Sequence, residues 1–325
     1  MNSTFAGVIL AAGRGSRMQP FSERWPKPLL PIANKPLIVY QIEIMRAVGI
    51  RRIVVLVGHK GYEVSRVLGD GSSLGVSIRY VEQTSTLGIA HAVGRLESHL
   101  NEPFLLFLGD IFFIPGPLEE MFQIFAAQEG GAVLATRDDS VEAIRRNFSM
   151  SLGPDGRVTR VIEKPRHPGN RLKGVGIYLF DLAIFDAIRR TPRTAMRDEY
   201  ELTEAIQVMI LDGSPVRPAN VIREDINLTN PGDLLRCNLL QAKAVPANQM
   251  VGPNSCVHPE ARIANTFIGA NVTIDNPISL EDSVVFDDTR VEETHDFRQA
   301  ILTPEGHVDC RFFGQADVAL NTVAN

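Results

Sequence analysis

Continuously apolar runs of strand length alternate with amphipathic runs along the first half of the chain. The amphipathic runs carry apolar residues at helical spacing. Strands that are apolar throughout are typical of a parallel sheet covered by helices on both faces. The alternation therefore predicts an α/β fold with right-handed crossovers. The predicted strands lie at 4–13, 51–58, 77–83, 103–110 and 130–137, and the predicted helices at 35–49, 62–69 and 89–100.

A second section, from about residue 147, predicts a strand pair as well as helices. The stretch 151–165 favours two strands around a Pro-Asp-Gly turn, and 174–181 favours another strand. Amphipathic helices are predicted at 182–191 and 201–213. Near residue 230, an Asn-Pro-Gly-Asp run supplies an N-cap, a proline at N1 and an acid at N3, which favours a helix start. The two sections together predict a Rossmann-like mixed sheet.

Beyond residue 246 the apolar residues recur at a different interval. Successive apolar residues are six positions apart, with one interval of five between two runs of six. This spacing is similar to the hexapeptide repeat of a parallel β-helix. Two to three coils fit between 250 and 302. We expect a main domain over 1–246 and a short left-handed parallel β-helix with a tail over 247–325; an irregular all-β tail is the alternative. The recurring residues are Val251, Val257, Ile263, Ile268, Ile274 and Leu280.

Composition and charge narrow the class of protein. The 325 residues are 44% hydrophobic and 22% charged, which is typical of a globular protein. A net charge of −5 argues against nucleic acid as the main partner, because that binding needs many Lys and Arg contacts. No apolar run approaches the roughly 20 residues of a membrane span, and the three cysteines form no CxxC motif. We expect a cytoplasmic protein without a membrane partner.

A basic cluster nevertheless follows the first predicted strand. Arg14, Arg17, Arg24 and Lys27 lie within fourteen positions of an acidic chain, which indicates a small anionic ligand. The P-loop string is absent, and a dinucleotide fingerprint fails because Met18 stands at its third glycine. The remaining interpretation is a loop whose N–H groups and Arg17 wrap a triphosphate, with Lys27 reaching in from beyond the turn.

The stretch GVILAAGRGSRMQPFSERWPKPLLPIANKP, at 7–36, resembles the signature of the sugar-1-phosphate nucleotidylyltransferases. The resemblance extends over about 5–245 and is strongest to the long form of glucose-1-phosphate thymidylyltransferase, which also carries a C-terminal β-helix. It implies a nucleotidyltransferase domain that binds the nucleoside triphosphate through this loop. The residues so implied are Leu10, Ala12, Gly13, Gly15, Ser16, Arg17 and Lys27.

Later motifs resemble further parts of the same family in the same order. The segment 82–93 resembles the base-recognition segment, 108–110 the metal motif, 161–165 the sugar-phosphate motif and 174–181 the strand that lines the sugar pocket. The segment 224–235 resembles the part that supplies a second metal carboxylate. The resemblance thus implies Gln83 and Gly88 at the base, Asp110 and Asp225 at Mg²⁺, and Glu163, Lys164, Gly176 and Tyr178 at the sugar phosphate.

The chain departs from the family pattern at three places. Phe148-Ser149 stands where the family has an aromatic residue and glycine, so we expect Ser149 to touch the sugar and to change the preferred hexose. Asn227 replaces a frequent glycine, and Gly-Asp-Ile replaces Gly-Asp-Asn at 109–111.

The resemblance implies an enzyme that transfers a nucleoside monophosphate from a pyrimidine nucleoside triphosphate, dTTP or UTP, to a sugar 1-phosphate with Mg²⁺. Arg17, Lys27 and Lys164 would be its catalytic cations. A non-catalytic nucleotide-sugar-binding subunit and a GTP-using enzyme, similar to mannose-1-phosphate guanylyltransferase, remain alternatives. An acyltransferase activity needs a longer β-helix. Because two or three coils expose end faces that must be capped or stacked, we expect a homo-oligomer.

Overall fold

The computed structural model describes residues 5–13, 15–194 and 198–313. Its contacts divide the chain into two compact units, which we call the sheet unit and the β-helix unit. The sheet unit comprises 1–14 and 38–225, and the β-helix unit comprises 15–37 and 226–325. The domain boundary predicted between residues 246 and 247 stays a prediction, because compactness alone does not show which part folds by itself.

The predicted strands of the first 227 residues occur in the expected order, and five strands that were not predicted lie between or after them. The strands are β1 (Ala6–Ala11), β2 (Pro31–Ile32), β3 (Lys35–Pro36), β4 (Arg52–Val57), β5 (Ser77–Glu82), β6 (Phe104–Leu108), β7 (Ile111–Pro115), β8 (Ala132–Asp138), β9 (Phe148–Leu152), β10 (Val158–Glu163), β11 (Leu172–Phe180), β12 (Val216–Asn220) and β13 (Ile222–Asn227). The five that were not predicted are β2, β3, β7, β12 and β13.

The six predicted helices are present, and the last of them starts at the predicted cap. There the Asn230 side chain accepts from the Asp233 N–H while the Asp233 carboxylate accepts from the Asn230 N–H, which completes a capping box. The helices are α1 (Phe21–Arg24), α2 (Leu37–Ala47), α3 (Gly61–Leu68), α4 (Ile89–Gly94), α5 (Glu119–Ala127), α6 (Val141–Arg145), α7 (Ala183–Arg190), α8 (Leu202–Leu211) and α9 (Pro231–Ala242). Of these, α1, α5 and α6 were not predicted. In the described ranges no helix is long and apolar enough to cross a membrane.

The sheet unit is built on a nine-stranded mixed sheet. Its main path is β10-β9-β11-β6-β1-β4-β5, with β8 beside β11 and β12 beside β8. The strands β4, β1 and β6 are parallel, whereas β11 runs antiparallel to β6, β8 and β9. This confirms the predicted α/β class and mixed sheet. The apolar strands and helices bury a hydrophobic core, in which Val8, Leu56, Leu106 and Phe180 are almost wholly buried.

The β-helix unit contains parallel coils, as predicted. Val251 pairs with Ile268, Ile268 with Val285, and Val285 with Leu302. Each partner lies 17 residues further along the chain, so one coil takes 17 residues. One coil is thus two steps of six and one of five; the left-handed sense stays a prediction. The strands are β14 (Cys256–Val257), β15 (Arg262–Ala264), β16 (Phe267–Ile268), β17 (Thr273–Ile274), β18 (Ser279–Glu281), β19 (Val284–Val285), β20 (Arg290–Val291), β21 (Phe297–Arg298), β22 (Ala300–Thr303) and β23 (Gly306–Asp309).

A ladder of polar side chains holds the coils in register. Asn254, Asn271 and Asp288 all have positive φ, which Asn and Asp tolerate better than other residues with side chains. The Asn254 amide donates to Asn271 Oδ1 at 3.1 Å, and the Asn271 amide donates to Asp288 Oδ1 at 2.9 Å. Each turn therefore bonds to the same turn of the next coil, so a shift of the coils would break these bonds.

The segment 15–37, which carries most of the basic cluster, packs on the coils within the β-helix unit. The buried Phe286 ring lies 5.5 Å from the Phe21 ring and 5.1 Å from the Trp25 ring, centroid to centroid. The Asn34 amide donates to the Ile268 carbonyl at 2.8 Å, and the Asn238 amide donates to the Pro31 carbonyl at 3.1 Å. Sequence patterns did not predict this packing, since more than 200 residues separate the two partners of each contact.

Truncating Phe286 should destabilise the β-helix unit. We expect Phe286→Ala to lower the free energy of unfolding by about 3–5 kcal/mol, because the cavity lies against Phe21 and Trp25. Urea unfolding followed by the fluorescence of Trp25, the single tryptophan, measures the effect. Phe312→Ala is the matched control, since Phe312 is 64% exposed and should change stability by about 0.5 kcal/mol or less. Equal effects of the two changes would contradict the packing described.

Candidate active site

The glycine-rich turn of the basic loop lies against the stem of Lys27. Gly15 has φ +66, and a Cβ built on it would lie 2.9 Å from Lys27 Cγ. A residue with a side chain would therefore push the lysine aside as well as strain the backbone. Lys27 is 7% exposed, whereas Ser16 and Arg17 are exposed in the 3₁₀ turn Ser16–Met18. Arg14 lies outside the described residues.

Asp110 is placed by a tight turn between β6 and β7. The Gly109 N–H donates to the Leu10 carbonyl at 2.9 Å, and a Cβ on Gly109 would lie 2.5 Å from that oxygen. From α2, the fully buried Gln41 amide donates to the carbonyls of Leu108 and Ile111 at 2.9 and 2.8 Å. These bonds hold the backbone on both sides of Asp110. Sequence reasoning missed Gln41, although a glutamine within an apolar helix was a usable signal.

The two residues predicted to meet the base lie on connected segments. Gln83 follows β5, is 7% exposed and donates its N–H to the Val57 carbonyl at 2.7 Å. Its side-chain Nε2 lies 3.2 Å from Nδ1 of His91. Gly88 has φ +110, and a Cβ there would lie 2.4 Å from the Tyr200 carbonyl oxygen. Glycine at 88 therefore lets the backbone approach Tyr200. His91 and Tyr200 were not predicted.

The residues predicted to bind the sugar phosphate surround β9 to β11. Ser149 is buried and lies opposite Lys173 in the β9–β11 ladder. Lys164, just after β10, has φ +46, and its N–H donates to the Asn147 carbonyl at 2.7 Å. A lysine in this left-handed conformation is strained by roughly 1–2 kcal/mol, and strained residues are common at functional sites. Glu163 pairs with Phe148 across the hairpin.

The strand β11 carries the two other residues implied for the sugar pocket. Gly176 has φ +80, and a Cβ there would lie 2.7 Å from Ile111 Cδ1. The Tyr178 ring is buried in the hydrophobic core, stacked on the Phe148 ring at 5.9 Å. Burial raises the pKa of Tyr178 well above its ordinary value, and the charges of Glu163 and Glu201 add to the rise. Tyr178 therefore stays protonated, and its contact with a sugar stays a prediction.

Asp225 belongs to a buried cluster of ion pairs that sequence reasoning did not foresee. Nζ of Lys173 lies 2.8 Å from Oδ1 of Asp225 and 2.6 Å from Oδ2 of Asp139. The Arg137 guanidinium lies 3.0 Å from Asp139 and 3.2 Å from Glu224. Side-chain exposure is 5% for Lys173 and 3% for Asp225. Since Ser149 faces Lys173, the cluster adjoins the predicted sugar site.

The surroundings shift the pKa values of the two aspartates in opposite directions. Burial alone would raise the pKa of Asp139, but the hydrogen bond from Lys173 and the charge of Arg137 lower it overall. For Asp225 burial is the larger effect, so its pKa rises although Lys173 and Arg137 act against this.

The two aspartates predicted to bind Mg²⁺ differ in how well they suit it. Mg²⁺ is usually held by one or two carboxylates together with substrate phosphates, and Asp110 at the end of an apolar strand suits that arrangement. Asp225 suits it less well, because its Oδ1 already faces the Lys173 ammonium at 2.8 Å and the Arg137 guanidinium at 3.5 Å. Where side chains are described, no group of three or more His, Cys, Asp or Glu residues could hold a metal ion.

Comparisons with known proteins show the family to which the chain belongs. A family model described as "Nucleotidyl transferase" matches residues 6–224. A glucose-1-phosphate thymidylyltransferase of Streptomyces griseus is 31% identical over 331 residues, which cover 95% of this chain and 91% of the relative. The chain belongs to the sugar-1-phosphate nucleotidylyltransferase family. It is therefore an enzyme that transfers a nucleotidyl group to a sugar 1-phosphate.

One further relative and one solved structure are similar over most of the chain. A low-salt glycan biosynthesis nucleotidyltransferase, Agl11, of Haloferax volcanii is 34% identical over 264 residues, which cover 80% of this chain and 73% of the relative. A crystal structure of UDP-glucose pyrophosphorylase complexed with UDP-glucose superimposes with a TM-score of 0.66 and 20% identity, covering 74% of this chain and 99% of that one. At this identity the second likeness shows the fold alone.

Removing the cation of the buried cluster should cost more stability than removing an exposed one. We expect Lys173→Met to lower the free energy of unfolding by about 3–5 kcal/mol, because Asp139 and Asp225 then stay buried with less compensation. Arg298→Met is the control, since its pair with Glu281 is largely exposed and is worth about 1 kcal/mol or less. Urea unfolding of both variants checks this. A loss no larger than the control's would show that water reaches the cluster.

Proposed function

We propose that this enzyme transfers a nucleoside monophosphate from dTTP or UTP to a sugar 1-phosphate, with Mg²⁺, and releases pyrophosphate. The observation that carries the choice of base is the buried Gln83 amide at the end of β5, within the segment that resembles the family's base-recognition segment. Uracil and thymine present a keto oxygen beside a ring N–H, and one amide can pair with both. Relatives named as thymidylyltransferases and a uridylyltransferase support this choice.

The proposed reaction needs no general base. An oxygen of the sugar phosphate, already anionic, attacks the α-phosphorus; the new P–O bond forms as the bond to the β-phosphate breaks, and pyrophosphate leaves with the electron pair. The catalytic problem is to hold two polyanions together, which depends on positioning and on stabilising charge. Arg17 and Lys27 would neutralise the leaving pyrophosphate, and Lys164 would hold the sugar phosphate.

Asp110 would hold Mg²⁺, and the bound ion would supply further neutralisation of phosphate charge. We assign Asp225 to the ion-pair cluster instead of to the second metal ligand position that the motif implied. Its Oδ1 lies 2.8 Å from the Lys173 ammonium, and a divalent cation placed beside that ammonium would be repelled. Cytoplasmic location and a homo-oligomer remain part of the proposal.

The identity of the sugar depends on Ser149 in this proposal. Relatives named for glucose 1-phosphate make that sugar phosphate the first candidate. The buried Ser149 stands where the family has glycine and lies opposite Lys173. A hydroxymethyl group there reduces the room beside the sugar ring and adds a hydrogen-bonding group, so we propose a preference for a hexose other than plain glucose.

A matrix of nucleoside triphosphates against sugar 1-phosphates, followed by pyrophosphate release, tests the proposal. We expect dTTP or UTP to give the highest kcat/KM with every sugar phosphate that reacts. We also expect Ser149→Gly to improve the use of glucose 1-phosphate relative to the wild type. Preference for ATP or GTP would refute the proposed base, and an unchanged sugar preference in Ser149→Gly would refute the role of Ser149.

Asp110→Asn should reduce turnover without unfolding the protein. We expect kcat to fall by about 10²–10³, the usual loss when one charge-stabilising group is removed. Asp155→Asn is the matched control, because Asp155 is exposed in the hairpin turn and should leave kcat unchanged. Steady-state kinetics at saturating Mg²⁺, with a thermal melt of each variant, provide the measurement. Near-normal kcat in Asp110→Asn would remove Asp110 from the metal site.

A further inference from the structure

The side-chain amide of Gln83 has a hydrogen-bond partner that contacts its nitrogen and not its oxygen. Its Nε2 lies 3.2 Å from Nδ1 of His91 on α4. In this arrangement the amide nitrogen donates and Nδ1 accepts, so the neutral ring carries its proton on Nε2. The amide nitrogen faces His91 as long as Nδ1 carries no proton, whereas a proton on Nδ1 would turn the amide oxygen toward the ring.

The His91 ring is itself held in place. It stacks on the Tyr200 ring, with centroids 6.3 Å apart and planes 27° apart. Tyr200 is tied to the same segment by two backbone bonds, from its N–H to the Leu87 carbonyl at 2.8 Å and from the Ala90 N–H to its carbonyl at 2.9 Å. The close approach of Gly88 to the Tyr200 backbone adds to this connection. The ring that orients Gln83 is therefore restrained by both α4 and Tyr200.

The orientation of an amide decides which kind of base it can pair with. Uracil, thymine and guanine present a keto oxygen beside a ring N–H, whereas cytosine and adenine present an amino group beside a ring nitrogen that accepts. Turning the amide by 180° exchanges its donor and its acceptor, and so exchanges the class of base that it matches. Both classes include a small and a large ring, so keto selection is separate from selection for ring size.

We propose that His91 determines base specificity by fixing the Gln83 amide in the orientation that matches a keto base. This inference rests on the proposed function, in which Gln83 reads the base. His91 is a positioning residue, since it acts through Gln83 and needs no contact with the substrate.

The protonation state of His91 provides a test that a purely structural role would not pass. When Nδ1 gains a proton it becomes a donor, and the amide must turn its oxygen toward it. Burial lowers the pKa of His91 below its ordinary value, and the positive charge of Arg95 lowers it further. Among the described residues, Arg95, which follows α4, is the charged group that acts on the ring, and the Arg193 guanidinium lies 5.7 Å from the Tyr200 ring that stacks on it. The neutral ring, and with it keto selection, thus prevails at neutral pH, and selection weakens only as the pH falls through that lowered pKa.

Internal competition measures the selection directly. UTP and CTP, and in a second series GTP and ATP, are supplied together with one sugar 1-phosphate, and the ratio of nucleotide-sugar products gives the ratio of kcat/KM. This ratio does not depend on the active fraction of the enzyme, so a variant that folds poorly still reports it. In His91→Leu, which removes the acceptor, we expect both keto-to-amino ratios to fall by roughly ten- to hundredfold. The preference for pyrimidine over purine should change much less.

His91→Asn is the non-titrating control, because its side chain can still form a hydrogen bond but does not change charge with pH. In the wild type, the UTP-to-CTP ratio should fall as the pH is lowered through the depressed pKa of His91, which an NMR titration of the ring locates. In His91→Asn it should stay constant.

The outcomes separate this inference from the proposed function. If the wild type uses neither UTP nor dTTP, the proposed function fails. If it uses them, but His91→Leu keeps both keto-to-amino ratios, the inference about His91 fails while the proposed function stands. A wild-type ratio that stays constant while the His91 ring gains its proton, as followed by NMR, would also overturn the inference, and this result requires no variant.

Discussion

The close approach of backbone segments at one edge of the sheet is the constraint on which the candidate site depends. Parallel pairing of β1 with β4 and β6 brings the carboxyl ends of three strands together. At that edge the Gly109 N–H bonds to the Leu10 carbonyl, and a Cβ on Gly58 would lie 2.7 Å from the Ala12 carbonyl oxygen. Glycine at both positions lets the chain pass closely enough for the following residues to reach the edge. Asp110 directly follows Gly109.

Buried polar groups fix the side chains at this edge of the sheet in particular positions. Gln41 holds the turn around Asp110, His91 holds the amide of Gln83, and Lys173 lies between Asp139 and Asp225. A buried polar or charged group is costly unless it has a partner, so each of these contacts restricts the side chain to one arrangement. Removing one partner should therefore lower the free energy of unfolding and also loosen the position of the side chain that it held. In this enzyme the polar contacts act mainly by positioning.

Within their own unit, the β-helix coils also contact the segment that carries most of the basic cluster. Phe286 and the carbonyl of Ile268 contact the segment 15–37, which carries Arg17 and Lys27. The coils repeat every 17 residues with Asn and Asp at the positive-φ turns, which makes a rigid support. If this segment binds the triphosphate, as proposed, such a support lowers the conformational entropy lost on binding, because the loop is already ordered.

The sequence by itself determined the α/β class, the order of the main strands and helices, the helix start at Asn230 and the interval of the β-helix coils. These depend on local properties, since apolar periodicity, turn residues and cap residues act over a few positions. Family motifs located Gln83, Asp110 and Asp225 in addition. The tertiary structure alone decided the partners of these residues: Gln41 beside Asp110, His91 beside Gln83, and Lys173 with Asp139 beside Asp225. Such partners come from different elements of the chain, and which polar groups are buried together is settled only when those elements pack.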